Sequence, residues 1–252
     1  MLHQFACRQD NYGVLLHDPA TGATAAIDAP DEAAVRRALE DTGWALSHIL
    51  VTHSHQDHIE AVAALKAAYG CIVIAPEKAS AAVPQADRLV CEGDTVTVGS
   101  LSGQVWETPG HCADHVAYYF AGLSTAFVGD DLFALGCGRV FGDDYDGMWL
   151  TLSRIAALPA DTKLYFGHEY TLSNAAFALS VDPDNGALKA AVARHEAARA
   201  AGRPTSPTTV GEECEANPFL RAGDSGMAAR LGLAGQPAAA VFRALRERKN
   251  RF

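Results

Sequence analysis

What this sequence of 252 residues has little of narrows its roles first. Lys and Arg number 20 against 30 Asp and Glu, a formal net charge of −10. A general nucleic-acid binder needs a basic footprint to displace counterions, and docking on anionic lipid needs one as well, so neither nucleic acid nor membrane is an expected partner. No stretch approaches the ~18 apolar residues of a membrane span. Met1-Leu2-His3-Gln4-Phe5 lacks the basic start and apolar run of a secretory leader, which makes a cytoplasmic location the expectation. The six cysteines (Cys7, Cys71, Cys91, Cys112, Cys137, Cys214) form no C-x-x-C pair. A chain of this length does not need disulfides, and reduced thiols are expected. Internal repeats and low-complexity linkers are missing too.

What is present is a hydrophobic fraction of 49% with 20% charged residues, enough for a sizeable core in one or two domains. The charge is unevenly spread. Arg243, Arg246, Arg248, Lys249 and Arg251 against Glu247 leave the last twelve residues at +4, so residues 1–240 carry −14. An acidic body with a basic tail requires a reason.

The first half reads as strands and turns. Strands are expected at Tyr12–His17 and Ala23–Asp28 around the turn Asp18-Pro19-Ala20-Thr21-Gly22. Pro30-Asp31 opens an amphipathic helix that stops at Gly43. Leu46–Val51 suits a buried strand, followed by a helix from about Asp57 with Ile59, Val62, Ala63 and Leu65 on one stripe and Gly70 at its end. Cys71–Ala75, Thr95–Val98, Gln104–Glu107, His115–Phe120 and Ala126–Gly129 are further strand candidates. A helix over about 147–158 and a strand at Lys163–Phe166 follow. Beyond His168 the strand signal stops, and 171–180, 186–201 and 236–248 look helical. Strands mixed with helices, then helices alone, predict an α/β domain over 1–170 and a smaller helical one over 171–252.

The most informative segment is Thr52-His53-Ser54-His55-Gln56-Asp57-His58, between a buried strand and a helix, where sites sit in α/β folds. Three imidazoles and a carboxylate in six residues are costly to bury and poorly explained as helix capping. His53 and His55, two apart in extended chain, can project to one side, while Asp57 and His58 can point to a second centre. Imidazole and carboxylate suit zinc, iron or manganese without any thiolate. Pro109-Gly110-His111, Gly129-Asp130-Asp131 and Gly167-His168-Glu169-Tyr170 each place one more candidate ligand at a strand end. Each is weak alone; their order after H-x-H-x-D-H is strong. His115 reads as a supporting strand histidine, and His3, His17, His48 and His195 are assigned no role.

This order resembles the metallo-β-lactamase superfamily, an αβ/βα sandwich of two mixed sheets with helices outside. The resemblance implies two divalent metal ions per chain, zinc foremost. His53, His55 and His111 would hold the first, Asp57, His58 and His168 the second, and Asp130 would bridge them. Within the superfamily the whole chain is similar to the glyoxalase II (hydroxyacylglutathione hydrolase) family. Asp10-Asn11-Tyr12-Gly13, Gly129-Asp130-Asp131-Leu132-Phe133, Gly136-Cys137-Gly138, Gly167-His168-Glu169-Tyr170-Thr171, Asn217-Pro218-Phe219-Leu220-Arg221 and the basic C-terminus carry the likeness.

That resemblance implies hydrolysis of S-D-lactoylglutathione to D-lactate and glutathione, the second step of methylglyoxal detoxification, by a hydroxide bridging the metals and oriented by Asp57 or Asp130. Glutathione is an anion that needs fixed cations and planar donors. Arg246 and Lys249 would take its glycine carboxylate, Arg139 stands where the family has Lys, and Tyr170 would bond the peptide. Phe141 in place of the usual Tyr loses a hydroxyl, and Asp114 stands where Gly is usual. Cys137 has no basic partner evident in sequence and is expected to be structural. The small-molecule thioester is the expected partner of a monomer. The rival readings are other enzymes of the fold, such as a glutathione persulfide dioxygenase with one iron, or a non-catalytic metal-binding or redox-sensing module. A lactonase or β-lactamase would not need the basic tail, and an RNA-processing nuclease would want a basic surface.

Overall fold

A computed structural model describes residues 1–252, and two compact units divide the chain: Met1–Thr108 with Ala113–Gly129, and Pro109–Cys112 with Asp130–Phe252. No helix is long and apolar enough to cross a membrane.

The first unit opens with β1 (Leu2–Cys7), β2 (Asn11–His17) and β3 (Thr24–Ile27). β2 and β3 form the expected hairpin, whose turn Asp18 closes. Its carboxylate accepts the Thr21 hydroxyl at 2.7 Å and the backbone N–H of Ser100 at 2.7 Å. These donors, Ser100 first, hold the Asp18 carboxyl well below the usual carboxylate range. Then come α1 (Glu32–Thr42), β4 (His48–Leu50), α2 (Gln56–Ile59), α3 (Val62–Tyr69), β5 (Ile72–Pro76) and β6 (Arg88–Val90). Asp31 caps α1 by accepting the Ala34 N–H at 2.7 Å, and Gly43 closes it in the left-handed region at φ 70°, the start and stop its sequence signals. β1 to β3 pair antiparallel and β3 to β6 parallel, which makes the sheet mixed. Val35, Leu39, Val62 and Leu65 from the helices pack with Leu15, Ile49 and Val73 of this sheet into one core, each buried aliphatic contributing on the order of 2 kcal/mol.

The single helix expected from Asp57 is two. The Ala29 N–H donates to the His58 carbonyl, and the Ala61 N–H donates to the Ala29 carbonyl. Chain leaving β3 thus takes backbone groups that a continuous helix would have used itself. Ala63 consequently faces solvent, while Val62 and Leu65 face the core. β7 (Thr95–Val98), β8 (Leu101–Glu107), β9 (Val116–Phe120) and β10 (Thr125–Gly129) complete the unit as an antiparallel meander.

The second unit contains β11 (Leu132–Phe133), β12 (Gly136–Cys137), α4 (Tyr145–Ala156), β13 (Lys163–Phe166), α5 (Thr171–Val181), α6 (Gly186–Ala200), β14 (Thr208–Thr209), α7 (Val210–Ala216), α8 (Ser225–Arg230) and α9 (Ala238–Asn250). The strand signal does not end at His168, because Thr208 and Thr209 pair antiparallel with β13. Two residues are too few for an alternating pattern, so sequence periodicity missed them. α7 begins with a capping box between Thr209 and Glu212, the T-x-x-E signature of a helix start.

α7 also carries Glu213 inward, where burial pushes its carboxyl from 4.5 up to about 7. The folded chain therefore binds more protons than the unfolded chain between those values, and stability falls as pH rises through that window. The loss is at most about 3 kcal/mol. Thermal unfolding followed from about pH 5 to about pH 8 should show Tm declining in the wild type and declining less in Glu213→Gln.

Candidate metal centre

β4 ends at Leu50; Thr52 to His55 follow it outside any helix or strand, and Asp57 and His58 lie in the first turn of α2. The segment is fixed from β9: the Val116 N–H donates to the Thr52 carbonyl, and the Tyr118 hydroxyl donates to the Val51 carbonyl at 2.7 Å. His53 and His58 are almost wholly buried. Nε2 of His53 lies 3.0 Å from Nδ1 of His55, and the His53 ring centroid is 4.1 Å from that of His58. The carboxylate of Asp57 is 3.9 Å from His58 Nε2. Its Oδ2 accepts Asn11 Nδ2 at 3.0 Å, which gives the Asp10-Asn11-Tyr12-Gly13 segment a physical role.

Asp28, to which sequence reasoning gave no role, organises this group. It sits just beyond β3 at φ 59°, a conformation uncommon outside glycine. Oδ1 accepts the Thr52 N–H at 2.7 Å, and Oδ2 accepts the Thr52 hydroxyl and His58 Nδ1, each at 2.8 Å. Because Thr52 Oγ1 spends its proton on Asp28, it accepts from His53 Nδ1 at 2.9 Å. In the neutral rings the network thereby places the proton on Nδ1 of both histidines and makes Nε2 the lone-pair nitrogen. That is the tautomer a metal ligand needs, with the carboxylate behind it. Asp28, His53 and His58 also converge closely enough to hold one ion. The only sequence cue was an acidic residue at a strand end. Asp28→Asn should weaken metal binding by about 10- to 100-fold, measured by competition against a chromophoric chelator with circular dichroism unchanged. Unaltered affinity would reduce Asp28 to a packing residue.

In the second unit, Gly110 at φ 134° leads into His111; a Cβ there would stand 2.4 Å from Met148 Cα. His111 Nδ1 donates to the Arg139 carbonyl at 2.8 Å, which again makes Nε2 the lone-pair nitrogen of the neutral ring. Asp130 Oδ2 lies 3.6 Å from His111 Nε2 and 3.4 Å from His168 Nε2. Both separations exceed the usual N–H···O range of about 2.7–3.2 Å. His111, Asp130 and His168 are all buried. This donor set of imidazole nitrogens and carboxylate oxygens fits a divalent metal of the zinc, iron or manganese kind.

His115 stands behind its neighbour. Its Nδ1 meets Thr108 Oγ1 at 2.8 Å, and its ring lies against His53 with centroids 4.8 Å apart. His17 stacks flat on Trp44, with centroids 4.4 Å apart.

Among the candidate substrate residues, Tyr170 stacks on His168 with centroids 4.8 Å apart and planes 3° from parallel. Arg139 is exposed. Phe141 is exposed too, its ring edge-on to His111 at 5.4 Å. Arg246 is buried over the Phe219 ring and donates from Nη1 to the Cys137 carbonyl at 2.9 Å. Lys249 Nζ donates to the Ser173 carbonyl at 2.9 Å. Burial and the nearby Arg246 lower its pKa. Cys137 does have a basic partner, contrary to the sequence reading, since Arg246 Nη1 is 3.8 Å from its sulfur. Burial outweighs that cation and pushes the thiol up to about 11, so Cys137 stays protonated and is no nucleophile. None of the six cysteines is in a disulfide.

Buried imidazoles with fixed tautomers at strand ends, facing carboxylates, define a metallohydrolase of the metallo-β-lactamase superfamily, whose sequence profile matches residues 9–168. The profile of the hydroxyacylglutathione hydrolase C-terminus matches residues 169–252. A hydroxyacylglutathione hydrolase of Methylobacterium nodulans is 56% identical over all of this chain and 99% of its own, and one of Rhodopseudomonas palustris is 54% identical over 97% and 96%. The crystal structure of ETHE1 from Myxococcus xanthus superposes with a TM-score of 0.68 at 27% identity, over 99% of this chain and 98% of that one. The chain belongs to the hydroxyacylglutathione hydrolase family, and it has the expected α/β fold with a C-terminal helical part.

Proposed function

We propose that this protein hydrolyses S-D-lactoylglutathione and related 2-hydroxyacylglutathiones to the hydroxy acid and glutathione, the second step of methylglyoxal detoxification. It would act in the cytoplasm as a monomer. His53, His55 and His111 would hold one divalent metal, Asp57, His58 and His168 a second, and Asp130 both, with zinc the first candidate. Residues 1–170 would carry this chemistry, and residues 171–252 would bind the thiol part of the substrate. Family membership gives the substrate class; the observation that carries the metal reading is the tautomer lock, in which Thr52, Asp28 and the Arg139 carbonyl accept from Nδ1 of His53, His58 and His111 and make Nε2 the lone-pair nitrogen of each neutral ring.

When bound, two such metals bring the pKa of water to about 7 and polarise a carbonyl. The chain's own groups do the rest. Either Asp57, with Oδ2 already oriented by Asn11, or Asp130 accepts a hydrogen bond from the attacking water and aims its lone pair at the thioester carbon. Arg246 and Lys249 pair with the glycine carboxylate, Arg139 adds a further cation for the glutathione, and the Tyr170 hydroxyl bonds the glutathione backbone. The departing group is a thiolate, a far weaker base than an amide nitrogen, so no strong general acid is required.

Purified protein with its metal content measured should cleave lactoylglutathione. Exhaustive chelation should abolish turnover, and added zinc should restore it. Full turnover by metal-free protein would end the two-metal reading.

A further inference from the structure

Asn217 and its neighbours matched the family pattern without a role in the chemistry, and their contacts lead to the β11–β12 turn. Leu135 occupies that turn at φ 59°, a conformation that strains a branched residue and persists only if its surroundings impose it. The Leu135 N–H donates to Glu213 Oε2 at 2.8 Å. Asn217 Nδ2 donates to the same oxygen and to the Gly136 carbonyl, both at 2.9 Å. From α5, Asn174 Nδ2 reaches the Ala134 carbonyl at 3.3 Å. Glu213 and Asn217 are buried, with 1% and 0% of their surface exposed.

The outgoing strand of this hairpin runs directly into Gly138 and Arg139. Gly138 has no latitude, because a Cβ there would stand 2.0 Å from the Asp130 carbonyl oxygen and 3.0 Å from His111 Nδ1. One residue later, the Arg139 carbonyl fixes His111. Arg246 grips the same strand at Cys137.

We infer that Glu213 is a positioning residue for glutathione binding: with Asn217 it imposes the strained Leu135 turn and thereby sets the strand that presents Arg139 and packs against Arg246. The inference rests on the proposed reading that these two cations bind glutathione. Glu213 touches no substrate. Its three partners, the Leu135 N–H, Asn217 Nδ2 and the Thr208 hydroxyl at 2.7 Å, are neutral, so the turn needs a carbonyl-type acceptor at Oε2 rather than a charge. The substitution Glu213→Gln keeps such an acceptor there and lets the new amide donate to Thr208 Oγ1. The substitution Glu213→Ala leaves the buried Leu135 N–H without its acceptor and takes one of two acceptors from the Asn217 amide, which keeps the Gly136 carbonyl.

The test compares Glu213→Gln, Glu213→Ala and the milder Asn174→Ala on two thioesters, lactoylglutathione and the lactoyl thioester of N-acetylcysteamine, which has no carboxylate. Glutathione affinity is measured alongside by calorimetry. In Glu213→Ala, KM for lactoylglutathione and Kd for glutathione should each rise about tenfold, as displacements well under 1 Å at a binding strand do. Kinetics on the carboxylate-free thioester should move much less. Glu213→Gln should stay within about twofold of wild type on every measure, and Asn174→Ala should shift the glutathione values by about threefold in the same direction. Equal losses on both thioesters, or unchanged glutathione affinity in Glu213→Ala, would overturn the inference. Should that variant not fold, Asn174→Ala decides by the same criteria. A wild type that binds glutathione yet hydrolyses neither thioester would sink the proposed reaction alone, because the glutathione Kd values still test the role of Glu213.

Discussion

Replacing Asp130 with alanine is expected to lower kcat/KM for lactoylglutathione by about a thousandfold or more, an effect of roughly 4 kcal/mol. One oxygen of this buried carboxylate faces Nε2 of both His111 and His168, at distances too long for good hydrogen bonds. Without it the two imidazoles keep their positions but lose the anion that would accompany them around a cation. Metal content should therefore fall together with activity, and Asp130→Asn should behave similarly, since an amide keeps the volume and discards the charge. Elemental analysis beside the thioester assay decides. Full metal content and full turnover in Asp130→Asn would remove Asp130 from the centre.

The second large effect is expected at the basic C-terminal helix. Arg246→Ala combined with Lys249→Ala should raise KM about a hundredfold while kcat changes far less, because charge-assisted hydrogen bonds contribute about 1.5–3 kcal/mol each. Arg246 donates to neutral oxygens, those of Cys137, Gly138 and Asn250. A buried guanidinium so placed keeps its charge available to an anion. Lys249, its pKa lowered by burial and by Arg246, should regain proton affinity when a carboxylate arrives between them. Arg246→Ala alone should also lower Tm, because the Cys137 carbonyl loses its donor. Steady-state kinetics with unfolding curves separates the two effects; unchanged KM in the double variant would return the tail to a solvated helix end.

The charge asymmetry of the sequence takes its meaning from this helix. Counted as composition, −10 opposes an anionic substrate. Counted by position, the excess of cations falls on α9, which places Arg246 and Lys249 one turn apart, three residues along the same face.

Much of this protein was legible in its sequence, and the reason is locality. Gly43 and Gly70 end helices because only glycine takes the left-handed region cheaply, and Asp31 starts one because its carboxylate reaches an N–H three residues on. The H-x-H-x-D-H segment announced itself because no packing role accounts for that density of imidazole. The tertiary structure decided what depends on residues far apart in the chain. Asp28 meets His58 across 30 residues, Glu213 meets Leu135 across 78, and Arg246 meets Cys137 across 109. The break between α2 and α3 belongs to the same class, because backbone from beyond β3 supplies it. A sequence by itself determines which groups can bond and which turns are cheap. Which imidazole nitrogen carries the proton, and which buried carboxylate holds a strained turn, are settled only when distant segments fold against each other and every buried donor must find its acceptor.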